Sequence, residues 1–312
     1  MSLALVCMSH SPLFSAGEPP DEIRADVEAA VSVAREFVDE YDPELVVAFA
    51  PDHYNGFFYE LMPQFCIGLA ACGVGDFGSD TTPYRVPAEA AELAEAVITA
   101  GVDASVSLQM QVDHGAVQPL ELLFGSVAAK PVIPVFVNSV APPFAPMQRV
   151  RLLGEAAGRY LTTLDKRVLL IGSGGLSHDP PVPQLNTATE QQRALLLNGR
   201  NPSPEVRAQR EQRVKAAAVA FAAGEADIQD LNPEWDRAFL QVCASGVTRR
   251  FDDYRAADMT EAAGHSVHEV RTWVAAYSAL STAGAYRVTS SYYRPILELI
   301  AGFAVTTARP VT

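Results

Sequence analysis

The strongest constraint in this chain is a repeated junction, in which a short apolar run ends in a polar turn that carries a histidine. The clearest case is Glu44-Leu45-Val46-Val47-Ala48-Phe49, followed by Ala50-Pro51-Asp52-His53-Tyr54-Asn55-Gly56-Phe57-Phe58. A run rich in β-branched and aromatic residues, with no polar alternation, reads as a strand buried on both faces. Leu3 to Met8 runs likewise into Ser9-His10-Ser11-Pro12, and Arg167 to Ile171 into Gly172-Ser173-Gly174-Gly175-Leu176-Ser177-His178. A shorter strand near 104–108 leads to Gln111-Val112-Asp113-His114-Gly115. Polar groups just past buried strands are where α/β proteins place their chemistry.

Between these runs the period changes from two to that of a helix. Ile23, Val27, Ala30, Val31, Ala34 and Val38 predict a helix from Asp21 to about Glu40. Residues 87–100, stopped by Gly101, and 147–165 read as two more. Pro131 to Val137 reads as a strand and 57–69 as a strand or hairpin arm. Ala116 to Phe124 reads as a helix with Pro119 in its first turn. The alternation predicts an α/β fold: one large domain over 1–312, with a central, mostly parallel or mixed sheet flanked by helices. From 186 to 262 strand signal lapses, and the expected helices form an insertion or an oligomerisation layer. A helix from Glu269 to Ala283 and strands within 285–306 complete the chain.

Charge excludes some functions. With 23 basic against 37 acidic residues the net charge is −14, which argues against binding nucleic acid or anionic membrane. An anionic small substrate would need local arginines, for which Arg294 in Ser291-Tyr292-Tyr293-Arg294-Pro295 and Arg271 are candidates. The four cysteines, Cys7, Cys66, Cys72 and Cys243, lack metal-type spacing and read as buried free thiols, suited to a reducing cytoplasm. The apolar N-terminus is too short for a signal peptide, and no run approaches the roughly 20 apolar residues of a membrane span.

Parallel strands of one sheet present their carboxyl ends on one edge, so His10, His53, His114 and His178 are expected to converge there. The glycines before His178 read as letting the backbone turn tightly. Glu269, in Gly264-His265-Ser266-Val267-His268-Glu269-Val270-Arg271-Thr272-Trp273, is either a helix-start residue favoured by the dipole or a carboxylate available to a metal. Two imidazoles and a carboxylate match the facial triad of non-haem Fe(II) oxygenases, although the residue types alone also fit Zn(II) or Mn(II).

The motifs around His10, Asp52-His53, Met110-Gln111-Val112-Asp113-His114-Gly115, Gly172 to His178 and His268 to Trp273 recur together in one family. Over almost its whole length the chain resembles the class III (LigB-type) extradiol ring-cleaving dioxygenases. The resemblance implies Fe(II) held by His10, His53 and Glu269, with His178 as proton acceptor and His114 as proton donor. Asp113 is then expected to orient His114 from behind. The implied substrates are O2 and a catechol, 3-(2,3-dihydroxyphenyl)propionate or its cinnamate analogue, opened beside the hydroxyls to a 2-hydroxy-6-oxo-dienedioate. The resemblance also implies a homo-oligomer, and nothing in the sequence indicates a haem, flavin or nicotinamide cofactor. Alternatives are an enzyme for another catechol such as a protocatechuate-like acid, a Zn-dependent hydrolase, or a non-catalytic relative on the same scaffold. His265 and His268 match no ligand position.

Overall fold

The structure is a computed structural model that describes residues 2–17 and 19–311. Among these, eight strands form one mixed sheet and two form a small separate one. In chain order the strands are β1 (Ser2–Met8), β2 (Leu45–Ala50), β3 (Phe65–Gly68), β4 (Ala71–Gly73), β5 (Ser105–Ser107), β6 (Met110–Val112), β7 (Val132–Val137), β8 (Arg167–Ser173), β9 (Tyr286–Ile296) and β10 (Ala301–Pro310). The large sheet runs β5-β3-β7-β2-β8-β1-β10-β9, and β4 pairs with β6.

The centre, β7-β2-β8-β1, is parallel, whereas β3 and the β9–β10 hairpin join it antiparallel. The central strands are the wholly apolar runs of the sequence, as burial on both faces requires. Alternate residues of β1 divide between two cores. Leu3, Leu5 and Cys7 face helices Glu89–Thr99, Met147–Leu161 and Val270–Ser281, while Ala4, Val6 and Met8 face helices Asp21–Tyr41 and His114–Phe124. Of residues 57–69, only Phe65–Gly68 is strand.

Helix Val270–Ser281 is buried through nearly all its length. It is clamped between the sheet and helix Met147–Leu161, where Gly154 and Gly158 allow the backbones to meet. A Cβ at either glycine would lie 2.1 or 2.4 Å from the carbonyl oxygens of Ala275 and Ala279. Glu269, at the start of this helix, therefore stands on a rigid support.

Residues 186–262 are helical as expected, including Glu190–Asn198, Pro204–Ala222 and Pro233–Ser245. The first two pass over the carboxyl edge of the sheet and line the cavity described below. Arg200, between them, donates to Gly56 O at 2.9 Å and lies over the Phe58 ring, tying this roof to the turn after β2. Cys7, Cys66 and Cys243 are buried free thiols, and Cys72 is partly exposed. Among the described residues no helix is long and apolar enough to cross a membrane.

Candidate metal centre and active site

β1, β8 and β2 are parallel neighbours, and His10, His178 and His53 stand just beyond their carboxyl ends. His114 arrives by another route. It follows β6, which belongs to the small sheet, so the expectation of four strand ends on one edge is corrected to three. His114 instead opens helix His114–Phe124, whose N-cap Asp113 accepts from Gly115 N at 3.0 Å. The ring centroids of His10, His53 and His114 lie 4.7–5.4 Å apart, with His53 and His114 stacked.

The Glu269 carboxylate sits among three of the imidazoles and is only 1% exposed. Its Oε1 is 3.0 Å from His53 Nε2 and 3.1 Å from His178 Nε2, and its Oε2 is 3.5 Å from His10 Nε2. Gly175 N donates to Oε2 at 2.9 Å. The side chain caps no helix. Glycines 172, 174 and 175 are not at positive φ, so they are required here for close approach rather than for turning. A Cβ on Gly174 would lie 2.6 Å from Glu269 O, and one on Gly175 2.9 Å from the His178 ring.

The other ring nitrogens are each held from behind. His178 Nδ1 meets Leu176 O at 2.8 Å, and His53 Nδ1 meets Asp113 Oδ2 at 3.0 Å. His10 Nδ1 lies 2.9 Å from Ser173 Oγ, and that hydroxyl donates to Gly115 O at 2.5 Å. With its only proton committed to the carbonyl, Ser173 must accept from His10, which fixes the Nδ1–H tautomer. The Gly115 carbonyl is free because its helical partner at i+4 is Pro119, which has no N–H. Pro119 lies in the helix interior, not in the first turn as expected.

His114 Nδ1 is held by Asp76 Oδ2 at 2.5 Å, and His114 N donates to Asp76 Oδ1 at 3.0 Å. This corrects the role expected for Asp113, whose Oδ2 instead accepts from the His53 ring, from His53 N and from Asn55 Nδ2. Asp113 precedes His114 as N-cap, and that position turns its carboxylate toward the β2 turn. Asp76 escaped sequence reasoning, since its only signal was an acid between two glycines. Asp52 closes the same β2 turn by accepting from the backbone N–H groups of Asn55, Gly56 and Phe57.

Burial and charge set the protonation. Burial pulls His10 down to about 3, against the opposing Glu269 charge. For His53, His114 and His178 burial also lowers the pKa. The carboxylates of Asp113, Asp76 and Glu269 outweigh it and raise all three above the ordinary histidine value. Burial would raise Glu269, but His178 and His10 hold it well below the usual carboxylate range.

The remaining candidates lie elsewhere. Arg294, on edge strand β9, pairs with Asp26 at 2.9 Å and Glu22 at 3.5 Å and does not line the cavity. That corrects its expected role, because its cation is already satisfied on the outer surface. Arg271 is buried against Ala145 O, His268 Nδ1 and the Phe144 ring. His268 also meets Thr260, and His265 is exposed beside Asp179.

His10, His53, His114, His178 and Glu269 form one wall of a cavity of about 430 Å³. The opposite wall is the helical roof, which contributes Leu195, Val206, Arg207, Arg210 and Val214. The donor set fits a divalent cation. Neutral His10 points a bare Nε2 lone pair at the Glu269 carboxylate, and two acceptors face each other in low dielectric only at a cost that a cation removes. His53 Nε2 borders the same carboxylate and loses its proton when it ligates.

Residues 4–304 match the family described as the catalytic LigB subunit of aromatic ring-opening dioxygenase. Two proteins named 2,3-dihydroxyphenylpropionate/2,3-dihydroxicinnamic acid 1,2-dioxygenase are each 60% identical to the chain. The one from Rhodococcus globerulus aligns over 309 residues and that from Rhodococcus rhodochrous over 311, in both cases 99% of this chain and 98% of the relative. A third of that name, from Mycolicibacterium paratuberculosis, is 53% identical over 99% of this chain and all of the relative. With a match over nearly its full length, the chain belongs to the LigB family of aromatic ring-opening dioxygenases.

Proposed function

We propose that this chain, as a single catalytic unit over 1–312, cleaves a catechol ring beside its hydroxyls with Fe(II) and O2. The proposed substrate is 3-(2,3-dihydroxyphenyl)propionate or the cinnamate analogue, after the relatives' names, and the product a 2-hydroxy-6-oxo-dienedioate. The observation that carries this reading is the meeting of the Glu269 carboxylate with His53 Nε2 and His10 Nε2. Two imidazoles and one carboxylate are a donor set that would hold Fe(II). Iron bound there supplies the Lewis acidity and the redox chemistry of ring opening.

The chain's own residues position the substrate and move protons. His178, with Nδ1 donating to Leu176 O, would present a bare Nε2 once a cation takes up the Glu269 charge that otherwise raises its pKa, and in that state it takes a proton from the catechol hydroxyl. His114, held by Asp76 and raised above the ordinary histidine pKa, keeps a proton to give to the departing oxygen. Its stacking on His53, a proposed ligand, supports that role. Ser173 and Asp113 fix the ligand tautomers, and Pro180 to Pro183 line the cavity together with the roof. The free thiols suit the cytoplasm, and homo-oligomerisation is the expectation carried by the resemblance.

Anaerobic reconstitution with Fe(II), followed by substrate and air, tests the reading. One O2 is consumed per catechol with a yellow ring-opened product, and His114→Ala lowers kcat by roughly 10²–10⁴-fold at unchanged iron content. Full activity of that variant, or no O2 uptake by the parent with any catechol, overturns it.

A further inference from the structure

We propose that Arg207 and Arg210, on the roof helix Pro204–Ala222, bind the carboxylate at the far end of the substrate's side chain. This assignment rests on the reading above and deepens it. A catechol with a propionate side chain carries charge at both ends. The site must therefore meet a carboxylate away from the metal position, where leaving it unpaired is costly.

The cavity supplies the opposite charge in one place. Apart from histidines, its cationic lining among the described residues is Arg207, Arg210 and Arg213, all on one helix at i, i+3 and i+6. Residues three apart on a helix are surface neighbours, so adjacent members of this set stand side by side. The groups are half-buried at Arg207 and Arg210 and exposed at Arg213. None of the three forms an ion pair with a described residue. Arg207 Nη1 is shut off from solvent and has no hydrogen-bond partner.

Nearby acids do not meet this need. Glu211, the acidic residue of the same wall, accepts from Phe77 N at 2.8 Å. Burial and the like charges of Arg213 and Arg207 pull Arg210 below the ordinary guanidinium value. In a chain of net charge −14, three unpaired guanidiniums crowded onto one cavity wall are stabilised by an anion arriving between them. A carboxylate is the planar anion that the guanidinium fork matches. The histidine wall takes the catechol and the roof takes the carboxylate, so the substrate spans the cavity in one orientation.

The experiment uses the Arg207→Met/Arg210→Met double variant, which keeps apolar stems of similar length. KM and kcat are measured on the iron-loaded enzyme with 3-(2,3-dihydroxyphenyl)propionate and with uncharged 3-propylcatechol. Loss of charge-assisted hydrogen bonds raises KM for the propionate by about 10–100-fold and leaves that for 3-propylcatechol within about twofold. The lysine pair, Arg207→Lys/Arg210→Lys, recovers part of the loss, which separates a charge effect from misfolding. Equal KM effects on both substrates overturn the assignment.

A binding arm is independent of turnover. Calorimetric titration with 3-phenylpropionate, which has the carboxylate but no catechol, shows binding to the parent and a loss of about tenfold or more in the Met pair. Its amide binds both proteins equally weakly. If the parent opens no catechol yet shows this pattern, the assignment stands and the proposed reaction falls. Equal binding of 3-phenylpropionate to both proteins removes the assignment whatever the enzyme does.

Discussion

Replacing Ser173 with alanine separates two roles that one hydroxyl plays. It receives the Nδ1 proton of His10 at 2.9 Å and gives its own proton to Gly115 O at 2.5 Å, all within buried surroundings. Ser173→Ala leaves a buried N–H and a buried carbonyl without partners, each costing about 1–3 kcal/mol, so stability falls by about 2–6 kcal/mol. At roughly 2–4 °C per kcal/mol the metal-free protein melts visibly lower. His10 also loses the contact that fixes its tautomer, which lowers metal affinity by about 10–100-fold. Adding Pro119→Ala supplies an N–H to the Gly115 carbonyl. The double variant regains about 1–3 kcal/mol over Ser173→Ala but none of the metal affinity. Calorimetry of metal-free protein and anaerobic Fe(II) titration against a competing chelator read the two effects. Parental melting and affinity in Ser173→Ala, or a double variant no more stable than the single one, refutes the reasoning.

Asp76→Asn tests the carboxylate behind His114. A histidine whose folded pKa is raised contributes stability that is fully present below its unfolded value of about 6.5 and is lost as pH rises through the folded pKa. The gap in melting temperature between metal-free parent and variant is therefore widest at or below about pH 6.5 and narrows toward alkaline pH. A gap that widens with pH contradicts the ion pair. Gly174→Ala forces a Cβ to within 2.6 Å of Glu269 O, so the purified variant carries less iron by at least about tenfold while its helical circular dichroism persists; parental iron content sinks this reading. Arg294→Ala breaks only the pairs with Asp26 and Glu22. It leaves KM for the propionate substrate unchanged in steady-state assays and has little effect on stability, since solvent screens the exposed pairs, and a selective rise in KM restores its candidacy.

Much of the fold was legible because buried parallel strands write themselves as unbroken apolar runs. β2, β7 and β8 fall within a residue or two of where those runs predict them. The expectation for His10, His53 and His178 followed from the same rule, since residues after parallel strands share an edge. His114 was singled out for the wrong reason, because nothing in Met110-Gln111-Val112 distinguishes a strand of the main sheet from one of a two-stranded appendage. Asp113 and Asp76 show the general limit. Which of two acids faces which imidazole is decided by local backbone direction and long-range packing. Asp76 and His114 are 38 residues apart, with no spacing rule to connect them. The roof arginines were hidden similarly, because an exposed charged helix and a cavity-facing one have the same composition until the sheet edge beneath is in place.

The position of β1 bears on how the centre comes into being. β1 lies between β8 and β10, with Leu5 opposite both Leu170 and Ala308. His10 hangs from that strand, and Glu269 belongs to a segment far along the sequence. The two side chains meet only when these long-range pairings are in place, and such pairings are slow because loop closure must precede the contacts that reward it. A molecule whose β1 has not docked keeps the proposed ligands apart, so metal content in a preparation counts the molecules in which β1 has found its place between β8 and β10.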